Sequence, residues 1–299
     1  MDANLLNDLL TALKERDYRF ATITPASHAR VVARPDRRVA RGIEDVLGWS
    51  LPFAREAIEP QLFDLLCRAD ALETVAGGYR SRIRVSSLGE DLFLHSAWPT
   101  EAADAVFFGP DSYRFADLIA AELGDCTGTL VDIGTGSGVG AIVAARRCPA
   151  ARIVMTDINP AALAFAAINA RAAGVAATAL LGSDLSGIAG PIEVALANPP
   201  FIIDHGDRAY RHGGGMLGAQ VSLDMAKMAL ARLAPGGRLI LYTGTAIVDG
   251  QDALRAALAQ LGGTLRYREI DPDVFGEELE SPAYARVDRI ALVAAVLTT

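Results

Sequence analysis

Cysteine is scarce: Cys67, Cys126 and Cys148 are the only three in 299 residues. They are scattered, odd in number and without metal-ligand spacing. That excludes a disulfide framework and a zinc-ribbon-like site, and it predicts reduced thiols in a cytoplasmic protein. No uncharged apolar stretch approaches the roughly 20 residues that a membrane-spanning helix needs. Met1-Asp2-Ala3-Asn4 places no basic segment ahead of an apolar run, so no signal peptide is expected. Internal repeats and low-complexity tracts are also lacking. Positive charge is in deficit, with 28 Lys/Arg against 36 Asp/Glu and a net charge of −8. A tight, non-specific nucleic-acid binder is usually basic, so this composition argues against one. The deficit is uneven, since residues 1–100 carry 13 Lys/Arg and 14 Asp/Glu while the remainder carries 15 and 22.

Hydrophobic residues make up 51% of the chain, enough for a full core in two domains. Residues 1–100 read as a helical and hairpin accessory domain, and 101–299 as a second, larger domain. Residues 4–15 form an amphipathic pattern, with Leu5, Leu6, Leu9, Leu10 and Leu13 on one face. An arginine-rich segment with Arg30, Arg34, Arg37, Arg38 and Arg41 follows. Short helices are expected over 43–47, 52–58 and 60–69, before Gly77-Gly78 breaks the chain. Residues 79–86 and 91–96 alternate like a hairpin around Leu88-Gly89-Glu90. The combination suggests a winged-helix-like α+β module. Arg80, Arg82 and Arg84 would share one face of its first strand, either as a solvated face or as a surface that docks substrate. Ser112 is a candidate cap for a helix over 113–123.

From residue 129 strands and helices alternate. Strands are expected over 129–133, 152–156, 178–181, 192–197, 238–243, 264–269 and 287–296, and helices over 139–147, 160–173, 220–233 and 251–261. This pattern predicts an α/β fold, doubly wound, with a mostly parallel seven-stranded Rossmann-like sheet. Residues 271–285 are too few and too irregular for a crossover helix, so the last strand should be antiparallel. Ligands of such sheets bind at the carboxyl ends of the strands.

The stretch Leu130-Val131-Asp132-Ile133-Gly134-Thr135-Gly136-Ser137-Gly138-Val139-Gly140 is a strand, a glycine turn and a helix start. Its glycines let backbone N–H groups and a helix N-terminus approach a ligand. A dinucleotide fingerprint, G-x-G-x-x-G/A, is one alternative. Read from Gly134 it fails at Val139, and read from Gly136 it is completed only by Ala141. The pattern D-x-G-x-G-x-G is filled by Asp132, Gly134, Gly136 and Gly138. Asp157 ends the second strand, near the spacing at which a carboxylate reaches ribose hydroxyls. A second stretch, Asn198-Pro199-Pro200-Phe201, comes after the fourth strand. Asn198 brings a side-chain acceptor beside the Pro199 carbonyl, and Phe201 brings an apolar ring.

The glycine pattern resembles the first motif of class I S-adenosylmethionine-dependent methyltransferases. N-P-P-F resembles the (D/N/S)-P-P-(Y/F) motif of methyltransferases acting on planar amino or amide nitrogens. Over residues 107–296 the chain looks like the release-factor glutamine N5-methyltransferases and the related small-methyltransferase family. The loop R-P-x-T/S-E of those enzymes reads Gly109-Pro110-Asp111-Ser112-Tyr113 here, and Phe201 stands where Tyr is usual. The resemblance implies that Asp132, Gly134, Thr135, Gly136, Gly138, Asp157, Ile158, Asp184, Leu185 and Asn198 line the S-adenosylmethionine site, with Asp184 near the adenine amino group. It places catalysis at Asn198, Pro199, Pro200 and Phe201, without a metal. The acceptor it implies is a glutamine in a macromolecular protein partner, with no membrane involved. A nucleobase amine of RNA or DNA, a small molecule and a non-catalytic cofactor-binding role remain the alternatives. Residues 204–218, with Arg208, Tyr210, Arg211, His212 and Gly213-Gly214-Gly215, would form a mobile loop over the substrate. His212 there is either an acid–base group or a solvated side chain.

Overall fold

The computed structural model describes residues 1–204 and 210–299. The chain folds as two compact units. One comprises Met1–Arg114 with Gly136–Val139 and Ala161–Ala176; the other comprises Phe115–Thr135, Gly140–Pro160 and Ala177–Thr299. Among the described residues no helix is long and apolar enough to cross a membrane.

Helix α1 (Ala3–Lys14) starts at Asp2, whose carboxylate accepts the N–H groups of Asn4 and Leu5 at 2.8 and 3.1 Å. These are donors that a helix start leaves without partners. Leu6, Leu9, Leu10 and Leu13 recur at helical spacing and are buried. Helix α2 (Pro25–Val32) leads into the arginine-rich segment and holds only its first member, Arg30; it is capped by Thr24 with Pro25 in its first turn. Helices α3 (Ile43–Leu47) and α4 (Pro60–Arg68) match expectation.

The helix expected over 52–58 does not form. Phe53 bridges Tyr79 in extended backbone, and Arg55–Ala57 makes only a 3-10 turn. Burying the Phe53 ring against Phe63 and Tyr79, at 6.4 and 6.0 Å, outweighs helix propensity there. Ala76 and Gly77 make the turn of a hairpin that joins β1 (Leu72–Val75) to β2 (Gly78–Ser81). The chain then bends at Arg82, spanned by the Ser81 hydroxyl, which donates to the Ile83 carbonyl at 2.7 Å. A second hairpin pairs β3 (Ile83–Leu88) with β4 (Asp91–Ser96).

This bend overturns the shared arginine face. Arg80 pairs with Glu73 and Arg82 with Asp70, whereas Arg84 is only 4% exposed. Its guanidinium donates to the Gly48 carbonyl at 2.8 Å and the Thr22 hydroxyl at 3.3 Å. It also sits 5.7 Å from the centre of the Phe20 ring. Neutral acceptors and an aromatic face thus replace the water that burial removed.

The larger unit is built around the main sheet. Helix α5 (Pro110–Glu122) begins ahead of Ser112. Ser112 therefore lies in the first turn, where its hydroxyl accepts the Gly109 N–H at 3.2 Å instead of capping. Then come β5 (Thr129–Ile133), α6 (Val139–Arg147), β6 (Arg152–Asp157), α7 (Pro160–Ala172), β7 (Ala177–Leu181), β8 (Ile192–Ala197) and α8 (Gln220–Leu230). The chain finishes with β9 (Leu233–Val248), β10 (Gln251–Asp252), α9 (Ala253–Ala259), β11 (Thr264–Asp271) and β12 (Arg289–Thr298).

The sheet runs β11-β12-β9-β8-β5-β6-β7, with β10 paired to β9. Strand β12 is antiparallel to both neighbours, and β5 to β9 are parallel. The expected doubly wound sheet with an antiparallel last strand is the one observed. Central strands covered on both faces read as apolar runs, such as Ile192–Ala197. Val131, Ile133, Ala195, Ala197, Leu239 and Leu241 pack with Leu223 of α8 and with Leu254 and Leu258 of α9.

Apart from Pro160, α7 belongs to the smaller unit. Its Ala162, Phe165 and Ile168 share a core with Leu6, Leu9, Leu62, Leu66, Val85 and Leu94. Asn169 on the same helix is 0% exposed.

Candidate active site

Strand order reverses between β5 and β8. Ile133 at the end of β5 pairs with Thr156 on one side and Ala197 on the other, and Asp157 pairs with Leu181. Gly134, Asp157 and Asn198 therefore leave adjacent strand ends, and Asp184 comes after the end of β7. A reversal of this kind opens a crevice at the carboxyl ends, where doubly wound sheets bind ligands.

Gly134, Gly136 and Gly138 have φ of 66°, 56° and 86°, a region that only glycine enters freely. Asp132 is 2% exposed. Its Oδ2 accepts the Thr135 hydroxyl at 2.6 Å and the Ala141 N–H at 2.9 Å. A Cβ on Gly140 would lie 2.5 Å from its Oδ1, so Gly140 is needed for the helix to begin over the carboxylate. Burial pushes the Asp132 carboxyl up to about 6, against its two hydrogen bonds and with help from the Asp157 charge. Asp132 thus ties the turn to the start of α6. Thr135 is fixed from both sides, since its N–H also reaches the Thr156 carbonyl at 2.9 Å.

Asp157 is half-buried, and its Oδ1 accepts the Asn159 N–H at 2.9 Å. Ile158 beside it is 61% exposed, an unusual place for a large apolar side chain and one suited to a ligand's flat face. Asp184 is exposed, and its Oδ1 accepts from the Ser186 hydroxyl and N–H at 2.6 and 2.8 Å. Those bonds hold its carboxyl below the usual range. Leu185 is buried and packs with Val131 and Ile133, which leaves its backbone as the part able to face a ligand.

Asn198 and Pro200 are half-buried and Pro199 is buried. No described residue hydrogen-bonds the Asn198 side chain. Phe201 is only 7% exposed. A Cβ on Gly244 of β9 would lie 2.1 Å from its ring, and Phe275 meets it edge-on at 5.7 Å. The ring read from sequence as a stacking face for the acceptor is packed into the wall behind the motif.

Beyond Phe201, residues 202–204 and 211–213 are tied down. Arg208 lies outside the described residues, but both flanks of 205–209 are described. Gly213 N–H reaches the Ile202 carbonyl at 2.8 Å, and the Asp204 N–H reaches His212 Nδ1 at 3.2 Å. The second contact makes Nδ1 an acceptor, so that nitrogen carries no proton in this arrangement. Arg211 bridges Asp204 and Glu278. Tyr284, 2% exposed, accepts the Ile203 N–H on its hydroxyl at 2.8 Å. Phe275, Glu278 and Tyr284 all come from residues 272–288 between β11 and β12. Sequence reasoning passed over them because that segment has no periodicity.

A doubly wound sheet with an acid-anchored glycine turn on its first parallel strand, an acid ending the second and an N-P-P-F turn after the fourth defines a class I S-adenosylmethionine-dependent methyltransferase. The chain belongs to the methyltransferase small domain family, whose model matches residues 112–262. Its relatives include the release factor glutamine methyltransferase of Deinococcus radiodurans, 30% identical over 290 residues (91% of this chain, 96% of that protein). The protein of that name from Rhodospirillum rubrum is 31% identical over 226 residues, 70% of this chain and 67% of its own. The ribosomal protein L11 methyltransferase of Geobacter metallireducens is 32% identical over 181 residues, 56% of this chain and 54% of its own. Among solved structures, wild-type Trm5b from Pyrococcus abyssi has a similar fold, with TM-score 0.50 and 14% identity over 88% of this chain and 73% of that one.

Proposed function

We propose that this methyltransferase acts on the side-chain amide nitrogen of a glutamine in a protein partner, a release factor. The relatives' name supports the acceptor. The observation that carries the reading is Asn198, a half-buried amide with no hydrogen bond to any described residue, one position past β8 at the strand reversal. The residues present fit S-adenosylmethionine, because the glycine turn has the positive φ angles a close ligand approach requires and Asp157 ends the neighbouring strand. When bound, that cofactor supplies an electrophilic methyl group on a positively charged sulfur.

Within this reading Asp157 accepts from ribose hydroxyls, Asp184 lies toward the adenine amino group and Asp132 shapes the loop from beneath. Asn198 Oδ1 and the Pro199 carbonyl accept the two N–H groups of the acceptor. An amide nitrogen is a poor nucleophile because its lone pair is delocalised. Two fixed acceptors favour its pyramidalisation as positive charge develops, which is catalysis by positioning and preorganised dipoles. Phe201 holds the turn against β9 and does not itself stack on the acceptor. The exposed Arg30, Arg34, Arg38 and Arg41 give the smaller unit a cationic surface for docking an acidic partner. The test is single-turnover transfer with cofactor saturating. Asn198→Ala should slow transfer by about 10²–10³, the scale of one lost transition-state hydrogen bond, and Asn198→Asp should retain more activity. An Asn198→Ala enzyme at wild-type rate would contradict an amide acceptor held by this turn.

A further inference from the structure

We infer that Asn169 is a positioning residue of the cofactor loop, and that strand β4 of the N-terminal module is through it a working part of cofactor binding. The inference rests on reading residues 134–138 as the S-adenosylmethionine loop. Asn169 Oδ1 accepts the Leu94 N–H at 2.8 Å, and its Nδ2 donates to the Leu94 carbonyl at 3.0 Å and to the Ser137 carbonyl at 2.9 Å. Both protons of the amide are thus committed, one to β4 and one to the loop. Asp has no proton for either carbonyl, and Leu could make none of the three bonds.

Ser137 stands between Gly136 and Gly138, the two residues whose backbones are least restrained by a side chain. A peptide unit is planar, with its C=O and the next N–H pointing in opposite directions. Fixing the Ser137 carbonyl on Asn169 therefore aims the Gly138 N–H away from α7. Ala166, one turn earlier on the same face of α7, closes the other approach, since a Cβ on Gly138 would lie 3.2 Å from its Cα. The face of α7 that carries Ala166 and Asn169 is the seat of the loop, and β4 clamps that seat.

The test is calorimetric binding of S-adenosylhomocysteine to the full-length chain. Asn169→Asp keeps the acceptor for Leu94 and loses both donations, and its Kd should rise about tenfold, the scale of one buried hydrogen bond. Leu9→Ala, in the same core but remote from the loop, should lower Tm and leave Kd unchanged. A folded Asn169→Asp protein with wild-type Kd overturns the inference. If that variant does not fold, hydrogen exchange on the wild-type chain decides. Adding S-adenosylhomocysteine should slow exchange of the Leu94 amide, and unchanged exchange overturns the inference. Failure of the wild-type chain to bind S-adenosylhomocysteine would instead overturn the reading of the loop itself.

Discussion

Replacing Asp132 by asparagine should change how stability depends on pH. The native carboxyl is pushed from 3.8 up to about 6, first by burial. A proton is therefore bound more tightly in the folded chain than in the unfolded one. Between about pH 4 and pH 6 the folded state holds more protons at this site, so its contribution to stability falls as pH rises. The contribution is fully present below the unfolded value and gone above the native one. At 1.36 kcal/mol per pH unit the change amounts to about 3 kcal/mol. The introduced asparagine could still accept from Thr135 or Ala141, and it never ionises. Denaturant unfolding at several pH values from 4 to 8, on wild type and Asp132→Asn, isolates the effect as a difference. Wild type should lose about 3 kcal/mol relative to the variant over that interval. A difference that stays flat, or that rises in favour of wild type, would refute the claim that Asp132 is a buried carboxyl beneath the loop.

The same contacts set further expectations. A chain beginning at Ala105 should fail to fold stably, because Phe165 and Ile168 of α7 lose their core, at about 1.5–3 kcal/mol each; a cooperative melt with normal cofactor affinity would contradict this. Tyr284→Phe leaves the Ile203 N–H without its acceptor, at a cost of about 1–3 kcal/mol. It should lower kcat while S-adenosylhomocysteine affinity holds, and unaltered kcat would separate residues 272–288 from catalysis. Asp157→Ala should weaken cofactor binding by about 1.5–3 kcal/mol, the range for hydrogen bonds to a charged group, which calorimetry can measure.

The parallel sheet and its glycine turn were legible because strand and helix periods alternate cleanly from Thr129 onward and the glycines occupy positions of positive φ. The antiparallel last strand was legible from the length of its connection alone. The N-terminal module was less so. Thr24-Pro25 was a helix-start signal passed over because the short helix after it buries only His28 and so shows no apolar period. The extended run at Phe53 is fixed by rings distant in sequence, and the bend at Arg82 by a Ser81 side-chain bond that no pattern announces. Among candidate site residues, Asp132 and Asp157 were legible from spacing, and Asn198 only from the resemblance of its turn to a known motif. Asn169 left a fainter mark, a single amide in the apolar run Ala162–Ala170. The burial of Phe201 was not legible, because it depends on Gly244, 43 positions away in the chain.

Methyl transfer to a glutamine amide is tested most directly by incubating the purified chain with a release factor and isotopically labelled S-adenosylmethionine. Peptide mapping by tandem mass spectrometry then locates the label. We expect one labelled methyl group on the side-chain nitrogen of a glutamine, strongly reduced with Asn198→Ala. Label on a carboxylate, on a base of added RNA, or on no protein residue at all would contradict a glutamine acceptor.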